Sequence, residues 1–410
     1  MQNSDQKLAI EGGSPRCPHA WPKWPMFDDQ ERAQLGAVLE SGEWWYGAKV
    51  REFEAGFAAF QGARFGVTAT NGTTAIEAAL RAVGVVEGDE VIVPPYSFIA
   101  TASSVVTVGA IPVFADIEPH TLCIDPASVE KLITKRTRAI IPVHVAGQLA
   151  DMDRINALAA RYGLKVVEDT AHGWGSQWRG KGAGTIGACG TFSFQVSKNI
   201  TAGEGGILVT DDEEVADLVR SFTHCGRAKG SAWYDHDNLG SNLRLTEFQA
   251  AVLLAQLQRL PDQTVRRERS GAILDRAITG VPGLTALPTD PRMTRRSYHM
   301  YIFRVNEQVL GFSRDTFLER LNAEGVPCSK GWYRPLYRNG VFQRAHLGPK
   351  HGIRAPLAGK GADYRGVECP VCEQVCKDAV WIPHNAMLAG DTQMEDAAAA
   401  ILKVAASGKR

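Results

Sequence analysis

From about residue 64 to residue 210, short runs rich in β-branched residues alternate with longer stretches whose apolar positions repeat every three or four residues. That rhythm predicts βαβ units and a largely parallel sheet. The expected strands are 91–94, 111–117, 139–145, 165–169, 191–194 and 206–210, most of them apolar on both faces, as a sheet covered by helices on either side requires. Between them, residues 152–162 set Ile155, Leu158 and Ala159 at helical spacing above charged positions, the pattern of a crossover helix. From Thr246 a helical pattern runs to Pro261 and resumes beyond it, so the proline marks a kink or a break. The expected division is an N-terminal arm with a large domain over 1–260 and a smaller α+β domain over 261–410. In the second part, 298–305 and 379–382 read as strands, and 314–324 and about 393–406 as helices. The stretches 225–242 and 329–370 lack any such period and are rich in Gly, aromatic and charged residues; loops that long tend to carry function.

Composition narrows the function classes. The 410 residues carry 45 Lys+Arg against 45 Asp+Glu, so the chain lacks the basic excess that binding a phosphate backbone demands. No apolar run is long enough to span a bilayer, and the first residues lack the charged and apolar regions of a secretory signal, which predicts a cytoplasmic protein with no nucleic-acid or membrane partner. Eight cysteines in such a chain read as free thiols. Cys369, Cys372 and Cys376 have a spacing compatible with metal ligation, but no second pair accompanies them, and packed or surface thiols on a helix are the expectation; no metal is expected.

Three segments carry candidate chemistry. In FSFQVSKNITAGEGGILVT, residues 192–210, an apolar strand delivers Lys198 to a glycine-rich turn. A lysine at a strand end facing a cleft loses part of its hydration, which lowers its pKa and equips the amine to attack a carbonyl and form a Schiff base; alone it also fits a solvated loop lysine. In VVEDTAHGWGS, Asp169 ends a strand at the carboxyl edge where ligands bind in open α/β sheets, suited to hold a pyridinium nitrogen protonated, and His172 can reach the same ring. A helix N-cap and a core histidine are the competing roles. In TNGTTAIEAALRAVG, Ile76, Ala79, Leu80 and Val83 form one apolar stripe, so the amides of Gly72, Thr73 and Thr74 open at a helix N-terminus, an anion site or a plain N-cap. A formal G-x-G-x-x-G at Gly182, Gly184 and Gly187 precedes a strand instead of following one and is not a dinucleotide fingerprint.

Phosphate anchor, ring-nitrogen acid and Schiff-base lysine occur in the order pyridoxal phosphate enzymes use. With IIPVHVAGQLADMD, VVEDTAHGWGS, TFSFQVSKNITAGEGG and GSNLRLTEFQAA, the sequence resembles the DegT-like sugar aminotransferases over nearly its whole length. GEWW at 42–45, GSNLRLTEF and the CP…VW pattern at 369–381 are most similar to the aminohydroxybenzoate synthase and scyllo-inosose aminotransferase branch. The resemblance implies fold type I: a large domain with a mainly parallel seven-stranded sheet, a smaller C-terminal α+β domain and a pyridoxal 5'-phosphate cofactor. It makes Lys198 the Schiff-base lysine, Asp169 the ring-nitrogen acid and His172 the neighbour of the ring hydroxyl. Ser193, Gly72 and Thr73, with Thr74 beside them, become phosphate ligands, and Phe98 the aromatic stacked on the ring. Asn242 corresponds to an asparagine donated by the neighbouring subunit, which implies a homodimer with composite sites.

The expected reaction moves an amino group from L-glutamine or L-glutamate to a keto-cyclitol or keto-sugar by a ping-pong mechanism. Trp44, Trp45 and Tyr46 are candidates for the acceptor pocket, with packing as the alternative, and His299, Tyr333, Arg334 and Tyr337 are candidates for gripping a polyol. Two other readings stand beside this one: a dehydratase or aromatase of the aminohydroxybenzoate synthase type, and a non-catalytic regulator that retains the fold.

Overall fold

A computed structural model describes residues 7–343 and 363–409. In chain order its strands are β1 (Phe65–Ala69), β2 (Glu90–Val93), β3 (Ile111–Phe114), β4 (Thr137–Ile140), β5 (Lys165–Asp169), the short β6 (Gln177–Trp178) and β7 (Lys181–Gly182), β8 (Cys189–Ser193) and β9 (Gly206–Thr210). Seven of them form one sheet in the order β1-β9-β8-β5-β4-β2-β3. The pairs from β3 to β8 are parallel, and only β9 runs against its neighbours. Both faces are covered: on β9, Ile207 and Val209 pack with Phe53, Phe57 and Phe192, while Leu208 between them joins the cluster of Val91, Ile140 and Val167. The expected strands are present with ends displaced by a few residues; β4 stops at Ile140 and Pro142 follows.

The G-x-G-x-x-G segment has a structural occupant. Backbone N–H groups of Gly184, Ile186 and Gly187 donate to the Glu168 carboxylate at 2.8, 2.7 and 2.6 Å, and the fully buried His144 ring bonds the same carboxylate at 2.8 Å. The glycine-rich turn is an anion nest filled by the protein's own side chain, which anchors β5 immediately before Asp169.

After β9, the helix Glu247–Ile278 runs unbroken for 32 residues through Pro261, so the proline does not break it. Pro261 lies on the exposed face, where water can serve the carbonyl that lacks a partner, and buried residues on either side hold the helix in register. Residues 260 and 261, the expected domain boundary, therefore lie inside one rod. Its Ala250 to Leu260 half packs with the aromatic cluster under the large sheet, and its Ile273 to Ile278 half packs in a separate C-terminal core. That core surrounds a three-stranded antiparallel sheet of β10 (Leu284–Ala286), β12 (Met300–Val305) and β13 (Ala379–Pro383), while β11 (Met293–Arg295) pairs with β6. Leu8 and Cys17 of the N-terminal arm pack into this C-terminal core too. The arm is clipped there by Glu324, whose carboxylate accepts from the amides of Ala9 (2.8 Å) and Arg16 (3.1 Å).

Cys369, Cys372 and Cys376 lie at the N-cap and along the buried face of the helix Pro370–Asp378, and all eight cysteines are free thiols. Residues 225–242 form irregular turns as expected; of the stretch 329–370, residues 344–362 lie outside the described residues. Among the described residues, no helix is long and apolar enough to cross a membrane.

The nest makes a testable claim. Glu168→Gln turns one end of an acceptor-only group into a donor facing backbone N–H groups, and should lower unfolding free energy by about 3 kcal/mol. Chemical denaturation should show this as a lower midpoint with an unchanged slope.

Candidate active site

The carboxyl ends of β5 and β8 and the N-terminus of the helix Gly72–Ala82 meet at a cavity of about 790 Å³. It is lined by Gly72, Thr73, Thr74, Phe98, Asp169, His172, Ser193 and Lys198, so the structure brings these sequence-derived candidates together. The helix N-terminus is capped reciprocally: Asn71 Oδ1 accepts from the Thr74 amide at 2.9 Å, and Thr74 Oγ1 accepts from the Asn71 amide at 3.3 Å. Three open amides were expected, but the cap takes the N–H of Thr74 and leaves those of Gly72 and Thr73 at helical positions with no intrahelical acceptor. Gly72 is needed for space, since a Cβ there would stand 2.8 Å from Ser193 Cβ. That approach packs Ser193 directly against the helix N-terminus.

At the other end Asp169, 4% exposed, accepts from the Thr101 hydroxyl at 2.7 Å and from the Ala171 amide at 3.2 Å. Burial raises its pKa above the ordinary carboxylate value, while these two donors and the charge of Lys198 pull the other way. Burial lowers the Lys198 amine to about 8, with Asp169 opposing the fall. Near that pH about half the amines are unprotonated and nucleophilic.

His172 accepts at Nδ1 from the Ala146 amide (3.3 Å), so its neutral ring carries the proton on Nε2. Burial and the neighbouring Lys198 hold its pKa well below the usual histidine value. Ala146 directs that amide from a left-handed conformation, φ +57°. Trp332, also on the cavity wall, stacks on His172 with ring centroids 5.5 Å apart and planes 15° apart. The sequence points instead to its neighbour Tyr333. In an irregular segment no period distinguishes adjacent residues, and Gly331, φ +54°, turns the chain just before them. Thr101 was also missed; its signal was the threonine in the PPYSFIAT motif.

The remaining candidates lie off the cavity wall of this chain. His299 is 2% exposed and sits behind His172, ring centroids 4.1 Å apart. Tyr46 gives its hydroxyl to Glu54 (2.9 Å) and its ring to His224, and Trp44 lies half-exposed against Phe248. Trp45 is exposed beneath the Arg244 guanidinium. Tyr333 lines a separate surface pocket with Lys330, and Arg334 lies beside its ring. Tyr337 is buried, donating to Glu373 at 2.7 Å. Asn242 forms a bridge with His224 before the long helix, away from the cleft.

Known proteins resemble the chain over nearly its whole length. Residues 25–401 match the model of the DegT/DnrJ/EryC1/StrS aminotransferase family. The chain is 39% identical to a protein of Streptoalloteichus tenebrarius described as a putative L-glutamine:3-amino-2,3-dideoxy-scyllo-inosose aminotransferase, with 97% of each chain covered. The crystal structure of 3-amino-5-hydroxybenzoic acid synthase superposes with a TM-score of 0.84 at 36% identity, covering 95% of this chain and 99% of that one. NtdA from Bacillus subtilis, solved with bound cofactor PMP, superposes with a TM-score of 0.81 at 25% identity, covering 95% and 87%. The chain has the fold type I architecture, belongs to the DegT/DnrJ/EryC1/StrS aminotransferase family and is a pyridoxal-phosphate-dependent aminotransferase.

Proposed function

We propose that the enzyme transfers an amino group from L-glutamine or L-glutamate to a keto-cyclitol or keto-sugar in two alternating, ping-pong half-reactions. The observation that carries this reading is one cavity lined by Lys198, the buried Asp169, Ser193 and the helix N-terminal residues Gly72 and Thr73, whose amides have no intrahelical acceptor. The donor set fits pyridoxal phosphate. Gly72, Thr73 and Ser193 would hold the phosphate, Thr74 shaping that end through the cap; Asp169 would hold the ring nitrogen, His172 Nε2–H the ring hydroxyl and Phe98 the ring face. When bound, the cofactor supplies an electron sink for the electron pair left on the donor α-carbon. Lys198 Nζ would hold the cofactor through its carbonyl carbon and, as a free amine, would move the proton between the donor α-carbon and the other end of the transfer. The relative from Streptoalloteichus tenebrarius, named for L-glutamine and an inosose, supports the donor and the cyclitol class.

A second subunit completes this reading. Residues 225–242 expose Trp233, Tyr234 and Leu239 at 74, 76 and 93%, an apolar loop that burial against another copy would cover. Asn242 ends that loop and reaches the partner's phosphate site in the proposed homodimer. The eight free thiols suit the reducing cytoplasm. Similarity to 3-amino-5-hydroxybenzoic acid synthase supports one alternative, dehydration and aromatisation of a ring; new ultraviolet absorbance in the product distinguishes it from amination of a saturated ring.

Lys198→Ala should fold and lose turnover by about a thousandfold or more. Asp169→Asn should keep the cofactor and lose about tenfold to over a hundredfold in kcat, the worth of a hydrogen bond to a charged group. A Lys198→Ala variant with near wild-type multiple turnovers would sink the assignment.

In the apoenzyme, the rate of Lys198 acylation should rise with pH as the amine sheds its proton, with a midpoint near 8 instead of the 10.5 of an ordinary lysine. Asp169→Asn removes the charge that favours the ammonium, so its midpoint should fall further. Peptide mapping of the labelled lysine across pH reads both values.

Composite sites predict complementation. A verified hybrid of a Lys198→Ala chain with an Asn242→Ala chain carries both lesions in one site and none in the other, and should recover up to about half of wild-type activity at limiting cofactor. Activity equal to the sum of the parents would place Asn242 outside the partner's site.

A further inference from the structure

Lys198 lies in the irregular stretch between β8 and β9, where no ladder fixes it; within that stretch its own amide donates to the Gln195 carbonyl at 2.9 Å. What holds the segment comes from far along the chain. The Trp24 indole of the N-terminal arm donates to the Val196 carbonyl at 2.8 Å. Trp24 also meets the ring of His384 edge-on at 4.5 Å, and that ring faces the Ser197 backbone. The buried Arg267 donates to His384 Nδ1 (3.2 Å), which leaves the His384 proton on Nε2.

The grip on the far side of the lysine is the most constrained. Asn199 is 1% exposed, and its Nδ2 donates to the Ser297 carbonyl at 3.1 Å. Its Oδ1 is therefore an acceptor, and His299 Nδ1, 2.9 Å away, must be the donor. The His299 ring is pinned in turn: its backbone amide donates to the Ala146 carbonyl (3.1 Å), and it packs on His172 with centroids 4.1 Å apart and on His384 at 5.4 Å. Ala146 is the residue whose amide sets the His172 tautomer. Between the two groups that bond Asn199 stands Tyr298, a bulky residue at φ +45°, a conformation that costs free energy and persists only where surroundings enforce it. Its ring fills the space left by Gly271, where a Cβ would stand 2.4 Å away. The strain places Ser297 and His299 together on Asn199.

We infer that His299 is a positioning residue for Lys198: its Nδ1–H holds Asn199, the next residue in the chain, and with His172 on its other face it fixes the distance between the amine and the ring-hydroxyl donor. The inference rests on the role given to Lys198 above. It replaces the expectation that His299 grips a polyol, because the ring is buried behind the cavity wall. Burial and the facing cationic or titratable groups Lys198, His172, His384 and Arg267 keep His299 neutral, the form in which Nδ1–H donates while Nε2 stays bare.

The test compares two amides of similar size. His299→Asn sets its amide where Nδ1 stood, whereas His299→Gln sets it where Nε2 stood. His299→Gln should lower kcat about tenfold to a hundredfold, the scale of a small misplacement of a reacting group, with acceptor KM within about twofold. His299→Asn should restore most of kcat. Independently of turnover, the apoenzyme acylation midpoint of Lys198 should climb from about 8 towards 10.5 in His299→Gln and return in His299→Asn. Asn199→Ala should reproduce the His299→Gln shift, the double variant adding nothing, and it carries the test alone if His299→Gln fails to fold. A raised acceptor KM with kcat and the midpoint unchanged, or equal behaviour of the two amides, overturns the inference. Turnover by Lys198→Ala would overturn the role of the lysine itself, whereas an inert Lys198→Ala beside an unaffected His299→Gln overturns only the positioning.

Discussion

The site depends on one unfavourable placement, a half-buried, partly desolvated lysine amine next to a buried carboxylate. Left to themselves such groups would collapse into a tight ion pair, and the amine would stay protonated. The fold prevents this by giving Asp169 other hydrogen bonds, from the Thr101 hydroxyl and the Ala171 amide, so the carboxylate is satisfied without drawing the ammonium onto it. Desolvation then decides the contest and Lys198 settles near 8. Around this pair the other groups are kept neutral: His172, His299 and His384 are all pushed well below the ordinary histidine range by burial among cations. Their rings therefore act through fixed tautomers and not through charge.

The same backbone device occurs twice with different occupants. At β5 the amides of Gly184, Ile186 and Gly187 close around Glu168, a protein carboxylate, and the outcome is rigidity. At the helix Gly72–Ala82 the cap consumes only the third amide and leaves the first two facing a cavity. Glycine-rich turns and helix N-termini attract anions by the same dipoles. Whether such a place becomes a strut or a ligand site depends on whether the chain brings its own carboxylate to it.

Much of this was legible in the sequence because strand ends are. A β-branched run that stops at an acid or leads to a glycine-flanked lysine places those residues at the sheet's carboxyl edge, and Asp169, Ser193 and Lys198 lie there. What escaped the sequence depends on tertiary packing. Pro261 keeps its place in a helix because buried neighbours on both sides outweigh one missing hydrogen bond. Trp332 and Tyr333 follow the same glycine turn, and only the fold sends the first to the cavity wall and the second to a separate surface pocket. His299 looks like a candidate for gripping a ligand until the fold buries it. Asn199, the neighbour through which the lysine is held, carries no motif beyond its adjacency.

The arm that joins Leu8 and Cys17 to the C-terminal core has a consequence for biogenesis. They share one cluster with Phe317, Met394 and Ile401, so this early segment cannot bury its apolar side chains until segments far later in the chain have been made. The same late event brings Trp24 onto Val196 and His384 onto the lysine segment. The large sheet can assemble earlier from its own contacts, whereas the part of the lysine segment's support that comes from Trp24 and His384 forms only once these distant segments have met.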